Sequence, residues 1–145
     1  MAKEYVLGFA FSNDRKDIIL IQKQKPEWQR GKYNGVGGKI EEHDSSAVEA
    51  MIREFREETG VDTSPEDWNL YASMTFNQDV MGGKAIVHCF RMFSNDIYGC
   101  KSMEIEEIHN ICIENELHLY PVIDNLPILI PMALHEGINY CSLTY

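Results

Sequence analysis

The segment Gly37-Gly38-Lys39-Ile40-Glu41, followed by Arg53-Glu54-Phe55-Arg56-Glu57-Glu58-Thr59-Gly60-Val61, constrains this chain more than any other. It joins a lysine-bearing glycine loop to a helical pattern with glutamates at positions i, i+3 and i+4. Residues three and four apart on a helix are neighbours, so Glu54, Glu57 and Glu58 crowd onto one side. Like charges at that spacing destabilise an isolated helix. A hard divalent cation removes the conflict, because Mg2+ takes carboxylate oxygens, retained waters and phosphate oxygens. A loop suited to phosphates beside a carboxylate patch suited to Mg2+ points to hydrolysis of a phosphoanhydride.

The helix itself is well marked. Ser46-Ala47-Val48-Glu49 fits a capping box with Ser46 as N-cap. Val48, Met51, Ile52 and Phe55 make an apolar stripe at helical spacing. Gly60 is placed to end the helix in a left-handed conformation. The glutamates cover the sector beside the stripe, with Glu58 nearest its buried edge, and Arg53 is the i−4 neighbour of Glu57.

Elsewhere the pattern is β-rich. Glu4 to Phe11 and Asp17 to Lys23 flank a polar turn and read as a hairpin. Residues 24–33 read as a loop, and residues 34–40 as a short strand entering a tight turn. Trp68 to Val80 and Lys84 to Phe93 flank Met81-Gly82-Gly83, which predicts a second hairpin. Ile108 to Ile113 reads as another strand. Ile123 to His135 has helical apolar spacing, with Pro127 suited to a first turn and Pro131 suited to a kink or a delayed start. The order predicts an α+β fold, an α/β/α sandwich around a mixed β-sheet. A length of 145 residues predicts one domain over 1–145.

Charge and cysteine usage narrow the setting. A net charge of −10 argues against nucleic acid or an anionic membrane as partner. It leaves room for a small phosphorylated ligand met locally by metal and a few lysines. Cys89, Cys100, Cys112 and Cys141 are widely spaced, and no zinc-type Cys/His cluster forms. The start MAKEYVLGFAFSND reads as a first strand rather than a signal peptide. No run reaches the roughly 18 apolar residues of a membrane span. A reducing, cytoplasmic setting is expected, and the oligomeric state is left open. The five histidines are scattered and are assigned no catalysis.

The loop-and-helix segment resembles the signature box of the Nudix hydrolase superfamily. That pattern runs Gly, five residues, Glu, seven residues, then Arg-Glu-aliphatic-x-Glu-Glu-x-Gly-aliphatic. Gly38 opens it here and Arg53 to Val61 close it, with Phe55 at the aliphatic place. The middle departs from the pattern. Counting from Gly38, the glutamate position holds Asp44, and counting back from Arg53 it holds Ser45. One extra residue therefore sits in the turn before the helix. Trp28 to Lys39 is similar to the segment before the box in the MutT-like nucleoside triphosphatases, which act on oxidised purines. There an aromatic and an Asn line the base pocket, and Trp28 and Asn34 match them. Met103-Glu104-Ile105-Glu106-Glu107 resembles the acidic segment that supplies a further metal-linked carboxylate, which would be Glu104. Leu119-Tyr120-Pro121 resembles a base-pocket segment, but the two aspartates that follow Pro in the mammalian enzyme are Val122 and Ile123 here. Reading of an oxidised purine through that acidic pair is not supported.

The resemblance implies a fold, a cofactor and a set of roles. Arg53, Glu54, Glu57 and Glu104 would be catalytic. Glu54, Glu57, Glu58 and Glu104 would hold Mg2+, or Mn2+ in its place. Lys23, Trp28, Asn34, Gly37, Gly38, Lys39 and Tyr120 would contact a nucleotide substrate. The first function it implies is hydrolysis of a nucleoside triphosphate, 8-oxo-dGTP being an example, to nucleoside monophosphate and pyrophosphate. The second is hydrolysis of ADP-ribose, a dinucleoside polyphosphate or another nucleoside diphosphate derivative. The third is a binding protein of the same fold without chemistry, against which the intact glutamates argue.

Overall fold

The computed structural model describes residues 2–77 and 83–144. The first hairpin forms as expected. β1 (Lys3–Phe11) pairs antiparallel with β2 (Asp17–Gln22), with Ala10 opposite Ile19. β3 (Tyr33–Asn34) adds to β2, and β4 (Val36–Lys39) adds to β1 with Leu7 opposite Gly37 and Val6 opposite Gly38. β5 (Asn69–Phe76) pairs antiparallel with β6 (Ala85–Phe93), which lies parallel to β1 along its length. β7 (Ile108–Cys112) covers the far edge of β2, and β8 (Cys141–Thr144) lies parallel to β5. Parallel and antiparallel ladders coexist, so the sheet is mixed.

Strand alternation sorts the side chains to two faces. Phe9, Phe11, Ile18 and Leu20 point to one side, where they pack with Leu126, Leu129 and Ile130 of α2 (Leu126–Leu134). Val6, Ala10, Ile19 and Ile21 point to the other, against Ala50, Met51 and Phe55 of α1 (Ala47–Thr59). This is the α/β/α sandwich predicted from the sequence.

The departures have local causes. Trp68 stays outside β5: it is 6% exposed, its ring meets Phe55 edge-on, and its indole N–H donates to the Thr63 hydroxyl at 2.8 Å. Its large apolar side chain suits a strand by pattern but packs on the helix instead. The Met81-Gly82-Gly83 turn falls on Met81 and Gly82, which with Val80 lie outside the described residues. α2 starts at Leu126, later than Ile123, and carries Pro131 in its interior. Four buried apolar residues hold it on the sheet despite the missing N–H. β8 was not foreseen because Cys141-Ser142-Leu143-Thr144 is short and half polar. Among the described residues no helix is long and apolar enough to cross a membrane.

Candidate active site

The glutamate helix is set against the sheet by its caps and by one glycine. The Ser46 hydroxyl accepts the Glu49 N–H at 3.2 Å, and Gly60 ends the helix at φ 77°. Where α1 crosses β4, a Cβ on Gly38 would run into the Glu54 carboxylate. Glycine there lets the carboxylate lie on the backbone of the strand.

Arg53 organises the polar side of α1. Its Nε and one terminal nitrogen donate to the two oxygens of Asp44 at 2.9 and 2.8 Å, a bidentate pair. Its other nitrogen donates to Glu54 at 3.0 Å and to Glu57 at 3.3 Å, and the Asp44-facing nitrogen also donates to the Lys39 carbonyl at 3.2 Å. Asp44 is only 4% exposed at its side chain and also accepts the Glu41 N–H at 2.8 Å. Its hydrogen bonds from Arg53 lower its pKa to about 2. Asp44 was noted in the sequence only as a departure from the glutamate of the box. In the structure it clamps Arg53, and the extra residue in the turn accompanies its shorter side chain.

The three glutamates differ. Glu57 is half exposed. Burial raises the pKa of Glu54, against the pull of Arg53. Glu58 is raised furthest, to about 7, first by burial and then by the charge of Glu106. Its Oε2 is sealed from solvent without a hydrogen-bond partner.

The acidic loop is tied to the end of α1. The Met103 N–H donates to the Glu58 carbonyl at 3.2 Å and the Lys101 N–H to the Thr59 carbonyl at 2.9 Å. This turns Glu106 inward. Its carboxylate takes the Lys23 ammonium at 3.1 Å and the Gln24 N–H at 2.6 Å, and its side chain is 13% exposed. Glu104 stands exposed, with a weaker effect on Glu58. The inward carboxylate of this loop is thus one that sequence reasoning passed over. Two glutamates separated by a single residue in one loop look alike until the loop's hydrogen bonds are known.

A cavity of about 220 Å³ opens on the α2 side of the sheet and meets α1 at Gly38, whose Cβ position faces the Glu54 carboxylate. Lys23, Trp28, Asn34, Gly37 and Gly38, all singled out in the sequence, line it. Lys39 is exposed and not part of the lining, and Tyr120 packs edge-on against Tyr33 at 4.8 Å behind the wall. The lining also includes Gln29 and Asn125, which the sequence did not suggest. Most of the rest comes from the apolar face of β1, β5 and β6, with Leu7, Met74 and Val87. Lys23 is the only charged residue among the described lining.

Among the described residues no three carboxylate, histidine or cysteine side chains converge into a ready-made cation cage. Arg53 engages Glu54 and Glu57 instead. The donor set still suits a hard divalent ion, because it consists of carboxylate oxygens and includes a sealed, unpartnered one on Glu58.

Comparisons with known proteins bear on the family and the fold. A family model described as the NUDIX domain matches residues 2–123. The 8-oxo-dGDP phosphatase NUDT18 of Danio rerio is 34% identical over 61 residues, 42% of this chain and 18% of that protein. The chain thus spans less than a fifth of that relative. The NUDIX domain of NrtR from Shewanella oneidensis, solved with ADP ribose, superposes with a TM-score of 0.77 at 18% identity, covering 92% of this chain and 86% of that one. The MutT protein of Bacillus halodurans superposes with a TM-score of 0.70 at 18% identity, covering 99% of this chain and 90% of that one.

Proposed function

Because the chain belongs to the Nudix family, we propose that it is a Mg2+-dependent hydrolase that cleaves a nucleoside triphosphate to nucleoside monophosphate and pyrophosphate. The observation that carries this reading is the juxtaposition of two unlike halves. A mostly apolar cavity with an aromatic and several amides meets a carboxylate helix across Gly37 and Gly38. A base fits the first, and phosphates fit the second.

Glu54, Glu57 and Glu58 would hold the ion, with Glu106 the loop carboxylate placed to join them. Mn2+ would be accepted by the same oxygens. The bound ion would neutralise phosphate charge and lower the pKa of a water for attack on phosphorus. Arg53, held by Asp44, orients Glu54 and Glu57. The half-exposed Trp28 offers a face for stacking, and Asn34 offers a free amide nitrogen, since its oxygen is already bonded to the Gly35 N–H at 2.8 Å. Lys23 sits between cavity and carboxylates, where it balances negative charge on either.

The likeness to a domain solved with ADP ribose and to an 8-oxo-dGDP phosphatase supports a second reading, hydrolysis of a nucleoside diphosphate derivative. The cavity bears on that choice. About 220 Å³ lies below the usual range of ligand pockets and suits one base rather than two. This favours a mononucleotide over a dinucleoside polyphosphate.

The test is chromatographic analysis of the products formed from a nucleotide panel, with and without Mg2+. The panel includes canonical and oxidised purine triphosphates, 8-oxo-dGDP, ADP-ribose and dinucleoside polyphosphates. Pyrophosphate from triphosphates alone is the expected result. Turnover only of ADP-ribose or the diphosphates selects the second reading, and binding without turnover overturns both.

A further inference from the structure

Gln29 is a buried polar residue, 7% exposed, in a loop that is otherwise mostly at the surface. Its backbone is satisfied. The Gln29 N–H donates to the Pro26 carbonyl and its own carbonyl accepts the Lys32 N–H, each at 2.9 Å. The loop is closed further by the Gly31 N–H on the Lys23 carbonyl at 2.8 Å, with Gly31 at φ 83°. The side chain that this closure turns inward lines the cavity.

Its amide has no hydrogen-bond partner among the described residues. Among the described residues the sealed, unpartnered polar atoms belong to Glu58, His109 and Asn125. Those of Gln29 are not among them, so its amide keeps some accessibility in a residue that lines the cavity. The other two amides of the wall are partly committed. Asn34 spends its oxygen on the Gly35 N–H, and Asn125 donates to the Met74 sulfur at 3.4 Å with its oxygen sealed. A hydrocarbon of similar size would fill the place of Gln29 without leaving an amide unpaired. A buried amide open on a cavity is what a ligand's polar edge requires.

We infer that Gln29 is a specificity-determining residue that reads the edge of a nucleobase in this cavity. The inference rests on the base-pocket reading above and deepens it. An amide carries a donor and an acceptor side by side. It therefore matches a base edge with an acceptor beside a donor, as glutamine matches adenine. Lys23, the charged residue of the described lining, is held by Glu106, so the described wall suits a neutral edge. A site built to hydrogen-bond a group rejects the analogue that lacks it, because the site is then left unpaired.

The test uses metal-free protein and product-like ligands, so hydrolysis plays no part. NMR titration gives Kd for AMP, GMP, 8-oxo-GMP, CMP, UMP, ribose 5-phosphate and benzimidazole riboside 5′-phosphate, whose purine-shaped ring lacks exocyclic donors and acceptors. Wild type is expected to bind its preferred base at least about tenfold more tightly than the benzimidazole nucleotide. In Gln29→Met and Gln29→Leu that ratio should fall within about threefold, with Tm no lower than wild type because no unpaired amide remains. An unchanged ratio in both folded variants overturns the role of Gln29 and leaves the pocket reading standing. Equal binding of ribose 5-phosphate and every nucleotide by wild type overturns the base-pocket reading itself, and this inference with it.

Discussion

Side chains of one chemical type take different duties in this site. Glu58 is partly buried, unpartnered at Oε2 and surrounded by negative charge, while Glu57 is half exposed and paired with Arg53. The same contrast separates Glu106, held by Lys23 and Gln24, from the exposed Glu104. Glu58→Gln is therefore expected to lower kcat by ~10²-fold or more, since it removes the least compensated carboxylate of the site. Glu106→Gln should weaken Mn2+ binding to the nucleotide-free protein by about tenfold. Glu104→Gln should leave it within about twofold, the typical effect of a surface change. Steady-state kinetics reads the first effect and calorimetric titration of the Glu106→Gln and Glu104→Gln proteins the other two; a larger loss of affinity in Glu104→Gln would assign the role to that residue. Trp28→Ala should raise KM by an amount equivalent to ~1–3 kcal/mol of lost stacking while kcat holds. Steady-state kinetics on the preferred nucleotide separates the two parameters.

The turn before α1 is the element that makes these residues a site. Asp44 joins the turn to the helix through Arg53 and to its own backbone through Glu41. Asp44→Ala should cost about 2 kcal/mol of stability, the scale of a charge-assisted pair left half made, and lower kcat ~10–100-fold because Arg53 then releases Glu54 and Glu57. Denaturant unfolding and kinetics on one preparation check both. Full activity would show that Arg53 needs no clamp. This element also marks how far residue patterns reach. The capping serine, the apolar stripe, the glutamates and Gly60 were all readable, because helix spacing makes neighbours of residues close in sequence. The clamp was not, because the path of the turn that brings Asp44 to Arg53 is not carried by residue spacing. Gln29 stayed hidden for a related reason: in a polar loop, one glutamine is marked only by the cavity it faces. The inward turn of Glu106 beside an exposed Glu104 was hidden too, because hydrogen bonds from Met103 and to Glu106 from Gln24 set the loop's direction. Trp28, Asn34 and the two glycines line one cavity, a juxtaposition a pattern can carry because they belong to one short contiguous segment.

At the scale of the whole molecule, the site imposes opposed pH dependences on stability. Asp44 has a lowered pKa, about 2 against an ordinary 3.8. Its contribution is present above pH 3.8 and is lost as pH falls toward 2. Glu58 runs the other way. Its pKa rises from 4.5 to about 7 in the fold, so between those values the folded state binds more protons than the unfolded chain. Stability then falls as pH rises through that window. The loss is on the order of 1–2 kcal/mol after solvent screening, or about 3–8 °C in Tm at this chain length. The net charge of −10 adds to it by general repulsion at neutral pH. Under the proposed metal binding, a divalent cation would favour ionised Glu58 and stabilise the fold by mass action, about 2.7 kcal/mol at a hundred times Kd. Thermal unfolding between pH 4.5 and 8 is therefore expected to show Tm declining toward neutral pH in chelator. Saturating Mg2+ should raise Tm most at the alkaline end. Glu58→Gln should flatten the decline in chelator and lose most of the gain from Mg2+. A wild-type profile that rises through the same window in chelator would mean that Glu58 ionises at its ordinary pKa, and that the helix carries a solvated carboxylate rather than one waiting for a cation.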